Sequence, residues 1–81
     1  MATHSSTVQQ VFGTALGREG WIWLDPPGPQ NWMRILPPAA GGDVQGITNI
    51  LNLAATAKAG NLLVRAETNA NDQVIWLWLL Q

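Results

Sequence analysis

Two short segments of the chain alternate tryptophan with aliphatic residues. Trp21 and Trp23 are separated by one residue, and so are Trp76 and Trp78. Successive side chains of a β-strand point to opposite faces, so each pair projects from a single face of its strand. The second pair belongs to an uninterrupted apolar run over residues 74–80, which predicts a strand with two apolar faces. A chain of 81 residues forms one small core and covers only one of those faces by itself.

Turn-forming residues divide most of the chain into five predicted strands. Glycines, prolines and asparagines interrupt the apolar and β-branched segments, and these residues favour turns over strand interiors. The first three strands are joined by short loops and are expected to form an antiparallel meander. The five predicted strands cover residues 7–16, 21–24, 32–36, 62–68 and 73–80.

The hydrophobic period changes between the third and fourth strands. Apolar residues then recur at steps of three and four, which predicts a helix over about residues 44–59. Asp43 is expected to cap its first turn, and Gly60 to take the left-handed conformation after its last turn. The apolar stripe is predicted to contain Val44, Ile47, Ile50, Leu51, Ala54 and Ala55.

The order of elements is strand, strand, strand, helix, strand, strand. The five-stranded oligonucleotide/oligosaccharide-binding (OB) barrel has this order, with its helix between the third and fourth strands. The sequence therefore predicts a mainly β fold with one helix, of the α+β class, arranged as an OB-like small barrel. We expect a single small domain over residues 7–81, preceded by a disordered tail over residues 1–6.

Few residues of the chain carry reactive chemistry. Cysteine is absent, and His4 is the only histidine, so a thiolate metal site or a histidine-dependent triad is not expected. The carboxylates fall mostly in predicted turns and at the helix cap. We therefore predict no catalytic residue, no metal site and no cofactor, and expect that the protein is not an enzyme.

Charge and hydropathy limit the possible partners and compartments. The formal net charge of −1 does not favour nucleic acid, which proteins bind through a positively charged surface. The longest apolar run is far shorter than the ~20 residues of a membrane-spanning helix, so no membrane association is expected. The first residues lack the pattern of a signal peptide, which leaves a cytoplasmic protein and a mature secreted protein as alternatives.

Low charge content and paired tryptophans together predict self-association. Charged residues make up 11% of the chain, against about 25% in an average soluble domain. A large exposed apolar patch usually marks a contact site. We expect a homo-oligomer, and two alternatives stay open: internal burial of the indoles by curled strands, and stacking of the indoles on a ligand. The expected interface contains Trp21, Trp23, Trp76, Leu77, Trp78 and Leu79.

Trp32 and Arg34 form a separate candidate ligand site next to a proline-rich loop over residues 26–29. An exposed indole offers a flat apolar surface to a sugar ring, and a neighbouring guanidinium offers a planar set of donors. This pattern predicts carbohydrate binding if Trp32 is exposed. The alternative is that Trp32 anchors the loop by packing on its prolines.

The predicted helix ends in small residues and is followed by the last two predicted strands. The residues concerned are Ala54, Ala57, Lys58, Ala59, Gly60, Val64, Asn71, Asp72, Val74, Ile75 and Trp78. Over roughly residues 44–80 this pattern resembles small bacterial proteins related to the B subunits of AB5 toxins. Those proteins are OB-like barrels, and the toxin members form pentameric rings that bind host glycans. The resemblance therefore implies self-association and glycan binding, and it transfers no individual contact residue. Secreted members commonly carry a cysteine pair and a signal peptide, which this sequence lacks.

These observations lead to two hypotheses of different classes. The first is a noncatalytic, self-associating OB-like module for assembly or ligand binding. The second is a carbohydrate-binding domain that uses Trp32. Both hypotheses require exposed tryptophans in the folded chain. Tryptophans inside the core would instead indicate internal burial.

Overall fold

The computed structural model describes residues 2–14 and 18–80, which form five antiparallel strands and one α-helix. The predicted order of elements and the α+β class are confirmed. A 3₁₀ turn at Pro38–Ala40 precedes the helix. The elements are β1 (Ala2–Gly13), β2 (Gly20–Leu24), β3 (Met33–Arg34), α1 (Val44–Gly60), β4 (Leu63–Thr68) and β5 (Val74–Leu79).

The strands form an open sheet in the order β3-β2-β1-β4-β5. The long strand β1 belongs to both halves of this sheet, because residues 2–7 pair with β4 and residues 8–13 pair with β2. An isolated parallel bridge between Ile35 and Val74 joins the two ends of the sheet, and the Leu36 N–H donates to the Val74 carbonyl at 2.9 Å. The strands therefore form an open sheet with one bridge across its gap, in place of the fully closed barrel that the element order suggests.

Residues 2–6 lie in β1, so the predicted disordered tail is wrong for these positions. Ala2 pairs with Thr68 and Ser6 pairs with Val64 across the β1–β4 ladder. The Ser6 side chain is buried, and its hydroxyl donates to the Pro26 carbonyl at 3.2 Å. The polar composition of residues 2–6 does not predict a strand. The strand forms there because these residues pair with β4. Met1 and the predicted end of the first strand at residues 15–16 lie outside the described residues.

The cap of α1 matches the prediction at the N-terminus of the helix and differs from it at the C-terminus. The predicted N-cap is confirmed, because Asp43 Oδ1 accepts a hydrogen bond from the Gly46 N–H at 2.6 Å. The predicted role of Gly60 is wrong: Gly60 is the last helical residue, and Asn61 takes the left-handed conformation with φ of 52°. Asparagine tolerates this region better than most residues do, so it closes the helix in place of glycine.

One face of α1 packs against β1, β2 and β5. Ile47, Ala54 and Ala57 are fully buried on this face. Val44 and Ala55, which the periodicity places on the same stripe, are exposed. The buried face is therefore narrower than predicted, and small alanines allow the helix to approach the sheet closely.

No tryptophan belongs to the buried core of the described residues. Ile22 and Leu24 alternate with Trp21 and Trp23 along β2, and both aliphatic side chains are fully buried. Trp21 and Trp23 are half-buried on the opposite face of β2, and the Trp23 Nε1–H is buried without a hydrogen-bond partner among the described residues. Burial of the tryptophans inside the core by curled strands is therefore not observed. The core contains Val8, Ile22, Leu24, Met33, Ile35, Ile47, Ala54, Ala57, Val64, Ala66, Val74 and Leu77.

An irregularity at the start of β5 decides which of its side chains face the core. Thr68 pairs with Val74, but Glu67 pairs with Trp76, so Ile75 is an extra residue in the strand. As a result Val74 and Leu77 are both buried although they are three residues apart.

Two leucines of the expected interface therefore belong to the packing of their own chain. Leu77 is only 8% exposed and is part of the core, so its placement at an interface is corrected. Leu79 is half-buried and packs against the same core. Trp76 and Trp78 are the exposed tryptophans on the outer face of β5.

Candidate binding surfaces

The first candidate surface is formed by Trp76 and Trp78 on β5, which we call the indole pair. The two side chains are 57% and 43% exposed. Their rings stack with centroids 6.0 Å apart and an interplanar angle of 19°. Because β5 is the last strand of the sheet, the pair forms an apolar ridge at one end of the strand order.

β4 places two charged residues beside the indole pair. Arg65 lies opposite Trp78 in the ladder, and Glu67 lies opposite Trp76. Arg65 is exposed and Glu67 is half-buried. Among the described residues, the one ion pair is formed elsewhere, so the charges of Arg65 and Glu67 have no counter-ion partner within that part of the chain.

The second candidate surface is a groove on the outer side of β1 and β2, which we call the aromatic groove. Its lining consists of Phe12, Trp21 and Trp32, and its volume is about 330 Å³. The Trp32 ring makes edge-to-face contacts with Phe12 at 6.4 Å and with Trp23 at 5.7 Å. Phe12 is 52% exposed and Trp32 is 37% exposed. The groove therefore presents aromatic surface to solvent.

Arg34 lies at the rim of the aromatic groove. Its guanidinium carbon lies 5.6 Å from the centroid of the Trp21 ring, within the range of a cation–π contact. The same guanidinium forms an ion pair with Glu19, with an N–O distance of 3.4 Å. Within the part of the chain that the structure describes, the buried Arg34 Nε–H has no hydrogen-bond acceptor. The Trp21 ring and the Glu19 carboxylate both contact the Arg34 guanidinium.

Trp32 also lines a second, more polar cavity of about 260 Å³. This cavity lies where the N-terminal half of β1 meets the β4–β5 turn and the loop before β3. Its polar side chains can donate hydrogen bonds to a ligand or accept them. The lining residues are His4, Pro29, Asn31, Trp32, Met33, Thr68 and Asp72.

The structure separates the tryptophans that were expected to form one interface. Trp21 and Trp23 lie with Trp32 at or beneath the aromatic groove, whereas Trp76 and Trp78 lie on β5. Trp32 makes ring contacts with Phe12 and Trp23, and it lines the polar cavity together with Pro29 of the proline-rich loop. Packing of Trp32 on the loop prolines stays a prediction. Trp32 lines the aromatic groove and Arg34 contacts the Trp21 ring of the same groove, and both side chains are partly exposed.

Sequence reasoning missed three residues of these surfaces. Phe12 was assigned to a strand without a functional role, and only the pairing of Phe12 with Trp21 places it at the groove. His4 falls in the predicted tail over residues 1–6, and Asp72 falls between the fourth and fifth predicted strands. The pairing of Ala2 with Thr68 brings those two parts of the chain to the same cavity. No local signal predicts contacts between such distant segments.

Residues 2–14 and 18–80 contain no group of three or more histidine, aspartate or glutamate side chains placed to hold a metal ion. Within the same residues, no helix has the length and apolar character needed to cross a membrane. Comparison of the chain with protein-family models, curated proteins and solved structures gives no significant match.

Proposed function

We propose that this chain is a noncatalytic, self-associating module with OB-like architecture. The exposed indole pair carries the proposal. About half of each ring is exposed, and a buried Trp covers 150–250 Å², so the pair exposes on the order of 200 Å² of apolar surface. At roughly 25 cal/mol per Å², covering that surface contributes about 5 kcal/mol before the cost of association.

The arrangement of the strands supports the OB-like part of this proposal. The helix lies between β3 and β4, and β1 is shared by both halves of the sheet. The bridge between Ile35 and Val74 connects the two ends of the strand order. β3 contains only two residues, so it does not form a full ladder with β5. The isolated bridge therefore closes only part of the gap in the sheet.

Sedimentation equilibrium at micromolar concentration tests self-association directly. The wild-type chain is expected to form an oligomer, and the Trp76→Lys/Trp78→Lys double variant is expected to be monomeric. Leu53→Lys is the matched control, because Leu53 is an exposed apolar residue of α1 (38%) that belongs to neither candidate surface. A monomeric wild-type chain would contradict the proposal.

A second candidate function is carbohydrate binding at Trp32. Its indole lies between the aromatic groove and the polar cavity. A sugar ring packs its C–H face on an aromatic ring while its hydroxyls take hydrogen bonds, and Asn31 and Asp72 lie on the polar side of Trp32. A glycan array with the wild-type chain and the Trp32→Ala variant tests this function. Binding by the wild type that Trp32→Ala abolishes supports it, and absence of binding rejects it.

A further inference from the structure

We propose that the chain associates head to tail, with the indole pair of one copy packed in the aromatic groove of the next. This inference rests on the proposed self-association and adds its geometry. The two surfaces differ in shape and lie on different strands, the indole pair on β5 and the groove on β1 and β2. A contact between two different surfaces of identical chains is heterologous, so each copy uses both of its surfaces.

The shapes of the two surfaces are complementary. Trp76 and Trp78 form a ridge of two nearly parallel rings. The groove has a volume of about 330 Å³, near the lower limit of the pockets that hold drug-sized molecules, and two indoles are of that size. Its own rings are arranged edge to face, which leaves ring faces and edges for offset and T-shaped contacts with an incoming indole.

The charges beside the two surfaces are also complementary. Arg65 and Glu67 flank the indole pair, and Glu19 and Arg34 lie at the rim of the groove. Glu19 and Arg34 already form an ion pair with each other, whereas Arg65 and Glu67 have no ion-pair partner among the described residues, so the four charges of a head-to-tail contact would alternate in sign. In a head-to-tail contact Arg65 can face Glu19 of the next copy while Glu67 faces Arg34. Opposed charges of this kind fix the register of an interface and disfavour other orientations.

A twofold dimer through the indole pair would bury less apolar surface than the head-to-tail contact. In that arrangement the pair meets its own copy, and the aromatic groove with its half-exposed Phe12 stays in water. The head-to-tail contact covers both apolar surfaces with a single kind of interface. For a chain of which only 11% of the residues are charged, this difference in exposed apolar area favours the head-to-tail arrangement.

A complementation experiment distinguishes the two arrangements. The pair variant is Trp76→Lys/Trp78→Lys, and the groove variant is Phe12→Lys, which changes an outward-facing side chain. Each variant alone is expected to sediment as a monomer. An equimolar mixture is expected to form a discrete heterodimer and nothing larger, because each partner keeps one intact surface. Leu53→Lys is expected to assemble like the wild type.

The possible results separate this inference from the proposed function. A monomeric wild type rejects both proposals. A groove variant that assembles like the wild type rejects only the head-to-tail arrangement, and so does a mixture of folded variants that stays monomeric. Circular dichroism of each variant establishes that it is folded.

A charge reversal provides a second test that leaves every aromatic residue in place. Arg65→Glu is expected to weaken assembly about fivefold, because the introduced carboxylate would then face Glu19 of the next copy. The double variant Arg65→Glu/Glu19→Gln is expected to restore part of the lost affinity, because it removes the like-charge contact without placing a second cation beside Arg34. Glu19→Gln alone is the control. Failure of Glu19→Gln to restore any affinity to Arg65→Glu would overturn the head-to-tail arrangement even if the lysine variants do not fold.

Discussion

Thr7 and Asp25 form a two-part connection between β1 and the end of β2. The Thr7 hydroxyl donates to Asp25 Oδ2 at 2.6 Å, and the Asp25 N–H donates to the Thr7 carbonyl at 2.9 Å. This connection lies where β1 changes its pairing partner, and it holds the start of the loop that leads to Trp32. The two hydrogen bonds therefore join β1 to the start of the loop between β2 and β3.

We expect Thr7→Val to lower the free energy of unfolding by about 1–3 kcal/mol, since it keeps the side-chain shape and removes a hydrogen bond to a charged group. Urea denaturation measures this change. Thr3→Val is the control, because Thr3 is an exposed residue of the same strand. Equal stability of the two variants would show that the Thr7–Asp25 bond does not stabilise the fold.

Removal of the Asp43 cap is expected to destabilise α1. Asp43→Ala leaves the Gly46 N–H without its side-chain acceptor, and loss of such a cap typically costs about 1 kcal/mol. Asp43→Ser keeps an acceptor at this position and is expected to recover most of the loss. Thermal unfolding of the three proteins provides the comparison, and an Asp43→Ser variant as unstable as Asp43→Ala would contradict the capping role.

Aliphatic and aromatic residues are expected to differ sharply in their contribution to stability. Ile22 is fully buried, so Ile22→Ala should cost about 2–5 kcal/mol through lost burial and the cavity it leaves. Trp76→Ala removes a larger side chain that is mostly exposed, and its cost should stay below about 1 kcal/mol in the monomer. Urea denaturation below the association concentration tests this, and a larger loss for Trp76→Ala would place that indole in the core.

The N-terminal half of β1 is expected to be essential for stability. Deletion of residues 1–5 would remove most of the strand that pairs with β4 and would uncover Thr68, which is now buried. We expect a large loss of stability on urea denaturation, whereas Thr3→Ala should have little effect. In the full-length chain, amide hydrogen exchange should show protected amides among residues 2–7. Rapid exchange at all of these amides, or an unchanged stability after deletion, would instead support a disordered tail.

Local patterns predicted the elements whose signals lie within a few neighbouring residues. The three- and four-residue spacing predicted α1, and the Asp43 side chain marked its first turn. The alternation around Trp21 and Trp76 predicted β2 and β5 and placed each tryptophan pair on one face. Helix periodicity, capping and strand alternation are short-range properties, so a single sequence contains the information for them.

Long-range pairing decided the features that the sequence did not predict. The strand at residues 2–6 forms because β4, about 60 residues later, supplies its hydrogen-bond partners. The extra residue at Ile75 turns both Val74 and Leu77 inward, which assigns Leu77 to the core. The aromatic groove forms because Phe12 pairs with Trp21 and Trp32 returns to the same surface.

The sequence by itself therefore determined an α+β chain with few charges and two same-face tryptophan pairs. The tertiary structure decided that these pairs form two separate surfaces, one a ridge and the other part of a groove. The physical reason is that a strand's alternation specifies which side chains share a face, whereas strand order and register specify which faces meet.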